Sequence, residues 1–109
     1  MTELKRTGHV RFRDLKPISL PSSWHDLQGP RTGTLELPLR IVWAPGKRIY
    51  NVENSVDLHA AYQAILTEGT ADDLDRWLNG DLLKQSWLML HLDPRITELW
   101  EARFPELVG

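Results

Sequence analysis

The sequence predicts an α+β fold: an N-terminal extended arm, a small antiparallel hairpin or sheet, then four short helices packed on it. Three observations predict it. Beyond residue 53, four helix-start signals recur in tandem, each followed by apolar residues at helical spacing. Residues 34–52 instead alternate apolar with polar side chains around a Pro45-Gly46 pair. The first 33 residues sustain neither period and are punctuated by Pro17, Pro21 and Pro30.

A chain of 109 residues is one domain by size. It buries roughly two-thirds of its unfolded surface, enough for one modest core. The expected organisation is a basic, partly extended arm over residues 1–33 and a single α+β domain over 34–109. Within that domain, strands occupy 34–52 and helices 54–107.

In the arm, His9-Val10-Arg11-Phe12-Arg13 alternates as a short strand with one basic face would. Ser22-Ser23 can cap a helical turn through Trp24 and Leu27, which Gly29-Pro30 ends. Phe12 and Trp24 are its expected anchors. Leu35 and Leu37 follow, and Pro38 implies an edge or a break because proline cannot donate to a ladder. Leu39 to Trp43 and Arg48 to Val52 then flank Ala44-Pro45-Gly46-Lys47, which suits a type II hairpin turn.

The first helix is expected over Ser55 to Glu68, with Asn54 as cap and Asp57 answering as in a capping box. Leu58, Tyr62, Ile65 and Leu66 form its apolar stripe, and Gly69 is placed to end it in a left-handed conformation. The second starts at Thr70, carries Leu74, Trp77 and Leu78, and stops at Asn79-Gly80. The third runs from about Asp81 to Leu90 with Leu83, Trp87 and Leu90 on one face. The fourth opens at Asp93-Pro94, a cap followed by proline at the first helical position, and presents Ile96, Leu99, Trp100 and Phe104. Trp77, Trp87 and Trp100 are expected to cluster with Tyr62 and Leu99.

Charge is unevenly divided. Residues 1–50 hold nine basic and four acidic groups, a balance of +5, whereas residues 51–109 hold four basic and eleven acidic, a balance of −7. Such asymmetry points either to a charged partner or to one evenly solvated surface. The chain has no cysteine, which excludes disulfides, thiolate metal sites and thiol nucleophiles. It begins without the apolar run of a signal peptide and nowhere approaches ~18 consecutive apolar residues, so a soluble cytoplasmic protein is expected.

Catalytic signatures are missing: no glycine-rich phosphate loop, no Gly-x-Ser-x-Gly elbow, no His-Glu-x-x-His. His9, His25, His59 and His91 are scattered and lack ligand spacing. Within the cluster of Asp72, Asp73 and Asp75, the pair Asp73 and Asp75 could hold a divalent cation, but acids in a first helical turn are also what the helix dipole favours. No catalytic, metal or cofactor site is therefore expected, and no enzyme. The arm offers His9, Arg11, Arg13, Lys16 and Arg31 to nucleic acid. Trp24 and Trp43 are the tryptophans best suited to anchor a partner, with Asp72, Asp73 and Asp75 as its acidic contacts.

Several phrases occur together: Leu20-Pro21-Ser22-Ser23-Trp24, Gly33-Thr34-Leu35-Glu36-Leu37-Pro38, Val42-Trp43 and Tyr50-Asn51-Val52. Ala61 through Gly69, Asp73-Leu74, Leu83 through Trp87, and Leu99-Trp100-Glu101-Ala102-Arg103-Phe104-Pro105-Glu106-Leu107 complete the set. Over roughly residues 20–107 the chain resembles small bacterial antitoxin-type proteins encoded beside nucleotidyltransferase-like toxins of the abortive-infection type. That resemblance implies a non-enzymatic inhibitor that neutralises a cognate toxin by direct binding, the toxin often acting on RNA. It carries no residue-level motif. The alternative is a transcriptional autoregulator that binds promoter DNA through the basic arm.

Overall fold

The computed structural model describes residues 18–42 and 47–108. A 3-10 turn at Trp24–Asp26 leads into strands β1 (Thr34–Glu36) and β2 (Ile49–Asn51). Helices α1 (Ser55–Glu68), α2 (Ala71–Trp77), α3 (Gly80–Ser86) and α4 (Pro94–Arg103) follow, with 3-10 turns at Trp87–Met89 and Pro105–Leu107. The architecture is α+β, as the two periodicities require.

The strands pair antiparallel, with Leu35 opposite Tyr50 and both buried against the helices. The Leu37 N–H donates to the Arg48 carbonyl and the Val52 N–H to that of Gly33, extending the ladder at both ends. Gly33 sits at φ 85°, a left-handed conformation that glycine adopts without steric cost. Here the structure corrects the expected pairing. The partner of β2 is β1, and the expected strand from Leu39 is a turn in its described part, with the Ile41 and Val42 N–H groups both donating to the Pro38 carbonyl. Proline's fixed φ suits the start of such a turn, and its carbonyl takes both following N–H groups. That turn buries Ile41 and Val42 and leaves Leu39 exposed. Trp43 and the Pro45-Gly46 pair lie outside the described residues.

Helix α1 starts as expected, the Asn54 side chain accepting from the Asp57 N–H at 3.0 Å. Asp57, however, does not close a capping box. Its carboxylate accepts from the Asn51 N–H at 3.0 Å and the Lys47 ammonium at 3.0 Å, stitching the helix start to β2. Those two donors, the backbone one first, hold its pKa below the ordinary carboxylate value. Gly69 is extended rather than left-handed, at φ −79° and ψ 157°. It is glycine for a spatial reason: a Cβ there would lie 2.6 Å from the Ile65 carbonyl oxygen. The chain thus passes without a turn into the Thr70 cap of α2, where a true capping box joins Thr70 to Asp73.

Asn79, expected to stop α2, also begins α3, accepting from the Leu82 N–H at 3.1 Å. Helix α3 ends at Ser86 and the chain tightens into the turn at Trp87–Met89, which exposes Leu88 and Met89. Asp93 caps α4 with Pro94 in its first turn.

Leu58, Ala61, Tyr62, Ile65 and Leu66 of α1 form the middle of the core. On its far side Trp87, Trp100, Phe104 and Trp24 make a chain of ring contacts with centroids 5.1–6.1 Å apart. Two expected members of the tryptophan cluster stand apart. Trp77 is half-buried, and Leu99 is 45% exposed because Ile96, Trp100 and Phe104, spaced four apart, take the buried stripe of α4.

The segment before β1 is clasped onto the helices. The Gly29 N–H donates to the Leu78 carbonyl at 2.8 Å, the Asn79 side-chain amide to the Gly29 carbonyl at 3.0 Å, and the Gly80 N–H to the Leu27 carbonyl at 3.2 Å. From the other side the buried Tyr62 hydroxyl accepts from the Asn79 N–H at 3.0 Å. Burial drives the Tyr62 pKa up to about 12, the Asn79 N–H opposing that rise. A Cβ on Gly29 would run into the Trp77 carbonyl and Leu78 backbone. Gly29→Ala should therefore lower stability by about 1–3 kcal/mol, the usual cost of overpacking, read as a lower melting temperature by circular dichroism. An unchanged melt would mean the clasp contributes nothing.

Candidate functional site

Asp73 is the most constrained acid among the described residues. Its position in the first turn of α2 follows from Thr70, and its side chain accepts from the Thr70 N–H at 2.8 Å. Both carboxylate oxygens also accept from the Arg40 guanidinium, at 2.5 and 2.7 Å. This fork is what the Pro38 turn delivers: it swings Arg40 off the sheet and onto the helix. The Asp73 side chain is nearly buried while that of Arg40 is 55% exposed. The arginine, ahead of the Thr70 donors and against burial, holds the Asp73 pKa down to about 2.

Its neighbours differ. Asp72 is exposed, and Asp75 is half-buried with Oδ1 lacking any hydrogen-bond partner. Burial, then the charges of Asp26 and Asp72, push the Asp75 pKa up. The three aspartates singled out in the sequence therefore do three different things, and Asp73 has no free oxygen for a cation. Among the described residues no group of three or more histidines, aspartates or glutamates is arranged to hold a metal ion.

The opposite signs of these shifts predict opposite behaviour in acid. The contribution of Asp73, its pKa depressed, is fully present above the ordinary value of 3.8 and is lost as pH falls towards about 2. Asp75, its pKa raised, destabilises the fold while ionised and stops doing so as pH falls through its folded value. Asp73→Asn should lower the melting temperature at pH 7 and flatten the acid limb of stability against pH. Asp75→Asn should leave it unchanged or raise it at pH 7, a gain that shrinks towards pH 3. Identical profiles for the two variants would refute both assignments.

Of the other residues singled out in the sequence, Trp24 packs edge-on against Phe104 with centroids 5.1 Å apart and is half-buried. Its indole nitrogen lies against Gly80, where a Cβ would come within 2.6 Å of it. Much of its surface is thus used within the chain. Arg31 is exposed and pairs with Asp81 at 2.9 Å. His9, Arg11, Arg13, Lys16, Trp43 and the anchor Phe12 lie outside the described residues.

Sequence reasoning missed a basic cleft. Arg40, Arg48 and Arg76 converge with Trp77 around an open depression of about 350 Å³, with Glu36 on its wall. Arg76 lies over the Trp77 ring at 5.7 Å. Nothing in the local pattern joins these residues, since they come from a turn, a strand end and a helix end. It also missed the exposed pair Leu88 and Met89, which helical spacing alone would have set beside Trp87.

No family model, no curated protein and no solved structure matches the chain.

Proposed function

We propose that the chain is a non-enzymatic, antitoxin-like interaction protein of the cytoplasm, which neutralises a nucleotidyltransferase-type toxin by covering it. The observation that carries this reading is the helical half, with its balance of −7. Among the described residues its exposed Asp72, Glu98 and Glu106 carry no ion pair, so their charge is directed at solvent or a partner. A toxin that handles RNA needs a basic, phosphate-binding surface. An acidic face opposite it gives fast, steered association and discriminates against wrong partners.

Affinity requires desolvated apolar contact as well as charge. Leu88 and Met89, 80% and 63% exposed in the turn after α3, supply it within the same helical half. Asp73, tied to Arg40, is a structural residue in this reading, while Asp72 remains available as a contact.

The test is co-expression with the product of the neighbouring open reading frame. A stable complex is expected, whose association rate falls steeply between 50 and 300 mM salt. Leu88→Ser with Met89→Ser should weaken it about tenfold or more, the order of a ~1.4 kcal/mol loss, with the melting temperature of the free protein unchanged. Failure to co-purify, or toxicity of the neighbour undiminished by this chain, would reject the reading.

A further inference from the structure

The cleft of Arg40, Arg48, Arg76 and Trp77 gathers three cations at one depression. It lies where the end of β1 and the Pro38 turn meet the last turn of α2. Three arginines line it, a local concentration of positive charge that attracts an anion. Among the described residues only Arg40 of the three is ion-paired, while Arg76 lies over the Trp77 ring. The Asp73 fork occupies two of its five N–H donors and locks it in place, leaving the others to solvent. Arg48 and Arg76 are exposed and carry no ion pair among the described residues.

Beside them stands an aromatic surface. Trp77 is half-buried at the end of α2, held between the clasp at Gly29 and the cleft. Guanidinium forks match phosphate oxygens bidentately, and an indole face accepts a stacked base of any sequence. Glu36, on the same wall, opposes a bare inorganic anion but can accept from a ribose hydroxyl. At about 350 Å³ the depression falls at the small end of ligand sites, a size for one nucleotide.

We propose that this cleft binds a nucleotide, its phosphate held by Arg48 and Arg76 and its base against Trp77. A free mononucleotide and the terminal residue of a single strand present the same chemistry. The site stands independently of the protein-partner reading: either can fail alone, because Leu88, Met89 and the neighbouring gene product play no part in it.

Calorimetry on the full chain at 50 mM salt distinguishes the sources, using AMP, a 5′-phosphorylated penta-adenylate and inorganic phosphate as probes. AMP or the oligomer should bind at least ten times more tightly than inorganic phosphate. Arg48→Gln with Arg76→Gln should weaken that binding tenfold or more, whereas Arg95→Gln, on α4, should leave it unchanged. Arg48 and Arg76 are exposed and Arg95 is half-exposed, and a circular dichroism melt checks that both variants fold. Binding of AMP and oligomer alike assigns a free nucleotide; binding of the oligomer alone assigns a strand end. The proposal is overturned if neither binds, if phosphate binds as tightly, or if the double variant loses no more than Arg95→Gln.

Discussion

One carboxylate, that of Asp73, holds the two halves of the fold in register. It closes the capping box of α2 and receives both arms of Arg40, so helix start and β-turn share a single anchor. Removing one partner of such a pair costs more than the pair itself contributes, because the charge left behind keeps its burial and loses its compensation. The same pairing explains why an acid-rich first turn should not be read by composition alone. Asp72 and Asp73 both favourably oppose the positive end of the helix dipole, yet one is open to solvent and the other is committed.

What was legible in the residues follows the range of the forces involved. Helix caps act over three or four residues, and Asn54, Thr70 and Asp93 all begin helices where their local pattern places them. The buried stripe of α1 was equally plain, since Leu58, Tyr62, Ile65 and Leu66 repeat at helical spacing. Pairing between strands was not, because a hairpin through Pro45-Gly46 would set Ile41 opposite Tyr50, and by alternation Ile41 serves as well as Leu35. The turn opened by Pro38, whose carbonyl accepts from the Ile41 and Val42 N–H groups, decided between them. Gly69 misled for a related reason: glycine at a helix end usually supplies a left-handed turn, and here it supplies clearance from Ile65.

The candidate sites show the same division. Asp72, Asp73 and Asp75 were visible as a cluster, but their separate environments depend on Arg40 and Asp26, which lie 33 and more residues away in sequence. The cleft around Trp77 joins side chains from three elements, so no window of the sequence contains it. An arginine counted as one more positive charge and an arginine aimed at a shared depression read the same in one dimension.

The segment before β1 is tied in part to late portions of the chain. Gly29 is held by Asn79, 50 positions on, and the Ser22 carbonyl accepts from the Arg103 guanidinium at 2.6 Å across a separation of 81. Closing loops of that length costs chain entropy before any contact is returned, while each helix can form from its own neighbours. On a translating ribosome, Ser22 and Gly29 leave the tunnel long before Asn79 and Arg103, so these contacts wait on the synthesis of α3 and α4. An early-made stretch of this protein is therefore among the last to find its place.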